Sequence, residues 1–388
     1  MESLYIDDDD HYSRLRLIAW WRQERLTAAK VLVVGAGAIG NEVLKNLALM
    51  GVGHVYLVDF DDIERSNLTR SVLFRRKDCG RGKAEVAAEA VQDLNPDTRV
   101  TAWRANVITE IGLGLFRDVN VVIGCLDNRE ARLWVNRQCW KVGTPWIDGA
   151  IQEINGVVKT FLPPNGACYE CAMTENDYRL INLRYSCPLL RHDEMLAGKV
   201  PTAPTIASII GGWQVQEALK IIHDLPVESG VAHVYNGVSN QTYTTRYQFK
   251  DDCLSHESYP EPVAMPLSAA RDTADTLFAL AREHLPGEGE LDLVLERDLV
   301  VALHCAPCGY SRRVMQARQA VKLSDARCPA CGETCHPEMI HRVTAGSPLA
   351  SETLHDLGVP AYDIVRVVGA DRELTCLLNA DAALMTQD

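Results

Sequence analysis

The stretch VLVVGAGAIG, residues 31–40, decides the fold. Its four leading apolar residues read as a strand buried on both faces, the mark of a parallel sheet. Gly35, Gly37 and Gly40 follow as G-x-G-x-x-G and open a helix. Glycine there lets the backbone turn tightly and lets a phosphate approach the partly positive helix N-terminus. A second strand, 54–58, ends on Asp59, well placed to take a ribose hydroxyl. Alone, this pattern says only that a nucleotide binds, and most such turns serve dinucleotide redox enzymes.

Outward from that turn, strands and helices alternate. Helices are expected over 39–50, 83–94 and 129–142, with Asn95-Pro96 and Gly143 as stops. Strands are expected over 99–105, 119–126 and 145–150. Parallel strands joined by helices build a doubly wound sheet with its ligand at the strand carboxyl ends. Asp59, Asp127 and Asp148 fall at such ends. Then 156–162 reads as an antiparallel strand, 205–222 as a helix, and 233–237 and 242–249 as strands around Ser239-Asn240 that extend the sheet. Residues 11–30 alternate basic and apolar side chains at helical spacing, which predicts a surface helix packed through Leu15, Ile18 and Trp21. The fold class is α/β, a Rossmann-like doubly wound sheet.

After Asp59 come FDDIERSNLTR (60–70), GRGKAEVAAEAVQDLNP (80–96) and CLDNREAR (125–132). Singly, a lysine on a helix or an Asp-Asn pair before one has an ordinary surface or capping explanation. Together and in order, Asp59, Asn67, Arg70, Lys83 and Asp127 make the chain resemble the ubiquitin-activating enzymes and their relatives, the adenylyltransferases of molybdopterin and thiazole synthesis. The resemblance covers roughly residues 12–250. The wording GAGAIGNEVLKNLALMG (35–51) and DIERSNLTRSVLFR (62–75) is closest to the active half of the ubiquitin-type activators.

That resemblance implies a reaction: the C-terminal carboxylate of a ubiquitin-like protein attacks the α-phosphate of Mg-ATP and releases pyrophosphate. Such chemistry needs alignment and charge neutralisation more than covalent help. Lys83 would be the point charge on the phosphates, and Arg70 and Arg14 would cover the leaving group, Arg14 from the partner of a homodimer. Asp127 would hold Mg2+, with Asn128 beside it; Asn67 and Asp61 would assist the nucleotide. A following thioester step needs an accessible thiol, and Cys187 lies in a polar, Arg-rich stretch at 172–204 that is expected to be a mobile loop crossing the site. Arg184 and Arg191 would lower its pKa; Pro188 follows it where the family usually has Thr. A ubiquitin-conjugating-type carrier enzyme would take the thioester, and the short loop suggests a prokaryotic system, with antiviral defence one possible setting. Two alternatives stand beside this reading: a sulfur-carrier-protein adenylyltransferase without the thioester step, and an NAD(P)-dependent oxidoreductase, which explains the glycines and Asp59 but not Lys83.

Cysteine spacing predicts two metal sites. Cys168 and Cys171 form one C-x-x-C, and Cys253 and His256 repeat the two-residue gap far along the chain, which suits tetrahedral Zn2+. The family places a split zinc site here, normally with a second C-x-x-C. Cys305-x-x-Cys308 and Cys328-x-x-Cys331, nineteen residues apart, have zinc-ribbon spacing. Cys125 and Cys139 read as buried core thiols and Cys79 as a loop thiol. The chain divides into an N-terminal helical segment (1–29), an adenylation domain (30–259), a linker marked by Pro260, Pro262 and Pro266, and a C-terminal α+β domain (267–388) carrying the ribbon (305–331). Within that last domain, 273–284 reads as a helix, 291–304 as strand-rich, and 353–378 as a helix, a turn and two strands. By analogy with ubiquitin-type activators this tail would dock a conjugating enzyme.

The 388 residues suit two or three domains. A net charge of -13 argues against nucleic acid and for a small molecule or protein partner. No apolar run reaches membrane-spanning length, and the acidic start MESLYIDDDD is unlike a signal peptide. A cytoplasmic home is expected, where thirteen cysteines read as metal or catalytic thiols rather than disulfides.

Overall fold

The computed structural model describes residues 10–186, 201–287 and 289–385. The described residues divide into two compact units: the first holds those within 10–105, 118–172 and 201–256, the second those within 106–117, 173–186 and 257–385.

In the first unit, β1 (Lys30–Val34), β2 (His54–Val58), β3 (Arg99–Trp103) and β4 (Val121–Gly124) are parallel. Next to β4 run β5 (Trp146–Gln152), parallel, then β6 (Asn155–Phe161), β7 (Val231–Asn236) and β8 (Gln241–Arg246), antiparallel, giving the order β3-β2-β1-β4-β5-β6-β7-β8. The mixed α/β sheet thus has a parallel core. All five β2 residues and all four β4 residues are buried, which is why these strands read as unbroken apolar runs. Helices α1 (Gln23–Ala28), α2 (Ala38–Leu49), α3 (Lys83–Leu94) and α5 (Arg129–Val142) belong to this unit, while α4 (Leu113–Arg117) belongs to the second. Val33, Leu44, Leu57, Ile123 and Ile210 share the largest core.

The second unit contains α6 (Glu175–Ser186); α7 (Pro204–Ile222) packs in the first, where Ser208 bonds Glu42 of α2 at 2.9 Å. In the second unit α8 (Ala274–His284) starts at Thr273, whose hydroxyl accepts from the Thr276 amide at 3.2 Å. Its sheet comprises β9 (Val263–Met265), β10 (Asp292–His304), β11 (Ser311–Ala317), β12 (His336–Thr344), β13 (Ile364–Val368) and β14 (Glu373–Leu378). The order is β11-β10-β13-β14-β9, and β12 also pairs with β10. The thirteen-residue β10 pairs with β13 at one end and β11 at the other, so the cysteine-bearing turns continue the sheet itself.

Four expectations are corrected. The N-terminal helix breaks into a 3-10 turn at Leu15–Leu17 and α1, because Trp20 and Trp21 pack on His223 at 5.2 and 5.5 Å between ring centres and the Arg22 amide bonds His223 Nε2. Trp21 is buried there but Ile18 is exposed. The expected loop is helical over Glu175–Ser186, where Thr174 and Asp177 cap it reciprocally; its continuation, 187–200, lies outside the described residues. The proline linker contains β9, which pairs in parallel with β14. The helix expected at the start of 353–378 does not form: residues 353–363 are turn and irregular backbone, in which Thr353 starts a hydrogen-bonded turn that ends at Gly358.

Candidate nucleotide site and metal centres

The glycine turn follows β1. Gly35 has φ +101°, and a Cβ there would lie 2.5 Å from the Cys125 carbonyl oxygen; a Cβ on Gly40 would lie 2.0 Å from the Gly35 carbonyl. Nothing stands within 4 Å of a Cβ built on Gly37, so that face of the turn is open. Asn41, fully buried, ties the turn down: Nδ2 donates to Ala36 and Gly37 carbonyls at 2.8 and 3.0 Å, and Oδ1 accepts from the Leu73 amide at 2.8 Å.

Asp59 leaves β2 and accepts from the Ala36 and Asp61 amides at 2.7 and 2.8 Å. Burial raises its pKa above the ordinary carboxylate value, with Lys83 opposing the shift. Lys83 opens α3; its ammonium meets Asp61 Oδ2 at 2.7 Å and its amide donates to the Asp61 carbonyl. Its side chain is only 12% exposed. Asn67 and Arg70 follow in the 3-10 turn Arg65–Thr69 and its cap. Asn67 Oδ1 accepts from the Glu64 amide and Arg70 Nη1 donates to the Ser66 carbonyl, at 2.8 and 3.1 Å.

Beyond β4, Asn128 caps α5 by accepting from the Ala131 amide at 2.8 Å, so the capping explanation holds for Asn128. Asp127 does no capping: it is exposed, and among the described residues only Asn128 Nδ2 reaches it, at 3.3 Å. Because β1 lies between β2 and β4, the carboxyl ends of these strands bring the glycine turn, Asp59, Asp61, Lys83, Asp127 and Asn128 to one edge. Arg14 is exposed and its guanidinium has no partner among the described residues. Cys187 lies outside the described residues. Cys79 is exposed, Cys139 is buried, and Cys125 is half-buried with its thiol pKa pushed up by burial.

The split cluster closes as the spacing requires. Cys168 sulfur lies 3.7 Å from Cys171 and 3.5 Å from Cys253, and His256 Nε2 lies 3.3 Å from the Cys171 sulfur. A tetrahedron of about 2.3 Å zinc–sulfur bonds has edges of about 3.8 Å, so the donor set fits Zn2+. The contact between Cys168 and Cys253 pushes the Cys168 pKa down and the Cys253 pKa up, so one proton is shared within the pair, and a metal would displace it. His256 sits between Trp140 and Phe249, at 4.2 and 4.6 Å between ring centres. Sequence reasoning missed what joins the halves. Glu170, between the first cysteines, accepts from Ser255, between Cys253 and His256, and from Arg137 at 3.1 and 2.5 Å; Asn136 bonds Ser255 at 2.8 Å.

The second cluster pairs Cys305 with Cys331 at 3.4 Å and Cys308 with Cys328 at 3.5 Å. Its two turns are alike: the Gly309 amide donates to Cys305 and the Gly332 amide to Cys328, both at 2.9 Å. Each set of four donor atoms lies within 4.8 Å of one another, and this donor chemistry also fits Zn2+.

The sequence puts Asp148 at a strand end, but in the structure it lies inside β5 (Trp146–Gln152), paired on both sides. It is fully buried and accepts from Arg132 and Lys159, each at 2.9 Å. Neither cation was singled out by the sequence; a charged residue inside a strand otherwise apolar was the available signal.

A model of the ThiF family matches residues 10–255. The chain is 30% identical over 234 residues to the Sulfur carrier protein ThiS adenylyltransferase of Escherichia coli strain K12, covering 59% of this chain and 88% of that one. It is 38% identical over 149 residues to SUMO-activating enzyme subunit 2 of Dictyostelium discoideum, covering 38% of this chain and 22% of that one. A Sulfur carrier protein adenylyltransferase of Thermus thermophilus is 41% identical over 38% of this chain and 57% of its own. The chain thus spans about a fifth of the Dictyostelium relative and more than half of the Thermus one. In fold it is similar to E. coli MccB solved with MccA-N7isoASN, at 23% identity and TM-score 0.53 over 64% of this chain and 75% of that one. Among the described residues no helix is long and apolar enough to cross a membrane. With more than half of its length matched by that model, the chain is a member of the ThiF family.

Proposed function

We propose that this chain uses ATP to adenylate the C-terminal carboxylate of a small ubiquitin-like or sulfur-carrier protein. The observation that carries this reading is the single edge where an open glycine turn, a basic Lys83 and an exposed Asp127 meet at the ends of β1, β2 and β4. Lys83, held by Asp61, would offset phosphate charge; Asp59 would take the ribose; Arg70 would lie on the leaving side. Asp127 would hold Mg2+, which supplies further charge neutralisation for the phosphates. A carboxylate oxygen attacks the α-phosphorus, the new C–O–P bond forms, the bond to the β-phosphate oxygen breaks, and pyrophosphate leaves. Arg14 would reach the pyrophosphate of a partner subunit in a homodimer.

The finer reading adds a thioester on Cys187 and its transfer to a ubiquitin-conjugating-type carrier; likeness to a SUMO-activating subunit supports it. A second reading stops at the adenylate, and likeness to a ThiS adenylyltransferase over 88% of that protein supports it. Oxidoreductase chemistry leaves Lys83 and Asp127 without a task. Exchange of labelled pyrophosphate into ATP tests the shared step: Asp127→Ala should reduce it by about 100-fold or more, as removal of a charge-stabilising group does, and full exchange would sink the assignment. Cys187→Ala should keep exchange and lose any thiol-sensitive adduct with the carrier protein; an adduct that persists moves the nucleophile elsewhere, and no adduct in the native enzyme favours the second reading.

A further inference from the structure

Asp127 is exposed and one hydrogen bond from Asn128 does little to fix it. What holds the backbone lies one residue earlier. Arg132, in the first turn of α5, sends its guanidinium back toward β4: Nη2 donates to the Leu126 carbonyl at 2.5 Å and the Gly149 carbonyl at 3.2 Å, and Nε donates to Asp148 Oδ1 at 2.9 Å. Asp148 Oδ2 accepts from Lys159 Nζ at 2.9 Å, and that ammonium lies 5.0 Å from the centre of the Tyr169 ring. Strand register builds the row, since Gly124 pairs with Asp148 and Asp148 with Lys159. Gln214 adds a grip on the Gly124 carbonyl at 2.8 Å.

Three charges in such a place are costly. A buried ion cluster is often no more stabilising than apolar side chains of equal volume, so packing alone does not account for it. A guanidinium differs from other groups in holding several acceptors in one rigid plane. Here that plane joins a buried carboxylate to the carbonyl next to Asp127. We propose that Arg132, Asp148 and Lys159 form a positioning device that clamps Leu126 and so presents Asp127 to the metal–nucleotide complex. This rests on the adenylation reading, in which Asp127 holds Mg2+.

Arg132→Lys keeps the charge and the pairing with Asp148, but one nitrogen cannot span both Asp148 and Leu126. The test is binding of Mn2+ in the presence of ATP, followed by the electron spin resonance of free Mn2+, together with hydrogen exchange of the peptide 124–131. Arg132→Lys should weaken Mn2+ binding by about 10-fold, the usual cost of losing an outer-shell partner, and should speed exchange at 126–128. Wild-type binding in folded Arg132→Lys protein overturns the proposal. If that variant does not fold, Lys159→Met, which strips Asp148 of its second cation, should shift binding in the same direction, and wild-type binding there overturns it equally. Asp127→Asn separates the two claims: if it too binds Mn2+ like wild type, the role of Asp127 falls; if it weakens binding and Arg132→Lys does not, only the positioning role falls.

Discussion

At the scale of single residues, Asp59 is where the site sets function against stability. Its carboxylate accepts two backbone amides, yet burial still raises its pKa, and Lys83 only partly offsets this. A carboxyl group whose folded pKa is raised contributes its full stability below the ordinary value near 3.9 and loses it as pH rises through the folded value. Without nucleotide, the melting-temperature advantage of wild type over Asp59→Ala should therefore shrink as pH rises over a window that opens at about 4. A growing advantage over that window would contradict the burial argument. The residues of this edge were legible because each occupies a fixed offset from a strand end. Asn41 and Arg132 were not, because what matters in each is the backbone carbonyl its side chain reaches, and carbonyls leave no trace in a sequence.

At the scale of elements, buried parallel strands and well-capped helices were the most readable. α3 and α5 begin and end where the sequence places them, since Asn95-Pro96 and Gly143 stop them and Asn128 starts α5. The N-terminal segment and 175–186 were misread for opposite reasons: tertiary packing on His223 broke a good helical pattern, and a Thr174–Asp177 cap rescued a poor one. The cysteine turns depend on elements in the same way. Glu170 and Ser255 bond each other across the split cluster, and α5 contributes Arg137 and Asn136, so the four donors are held close by protein contacts. Protein purified without chelator should carry about two zinc equivalents, and Cys305→Ser about one, with pyrophosphate exchange retained because the first cluster and the nucleotide edge lie in another unit. Two equivalents remaining in Cys305→Ser would remove the second cluster from the list of metal sites.

For the whole molecule, what sequence could not show is how distant segments join. Residues 106–117 interrupt the run from β3 to β4, yet belong to the second unit, where Asp363 accepts from the Leu113 amide at 2.6 Å across 250 positions and Arg297 donates to the Ile108 and Ile111 carbonyls. Neither Arg297 nor Asp363 carries a motif, and both are buried. The same limit applies to any contact between copies of the chain. Arg14 stands exposed ahead of the first strand, with no partner among the described residues, as a residue destined for another subunit would. If it completes a neighbour's site, Arg14→Ala and Asp127→Ala proteins should each lose most exchange activity alone. A mixed dimer carries one site with both substitutions and one with neither, so an equal mixture after subunit exchange should recover about a quarter of wild-type activity: half the dimers are mixed, and each has one intact site. Mass measurement of the mixture shows whether mixed dimers form. Mixed dimers without recovered exchange would place Arg14 in its own subunit's site or outside the chemistry altogether.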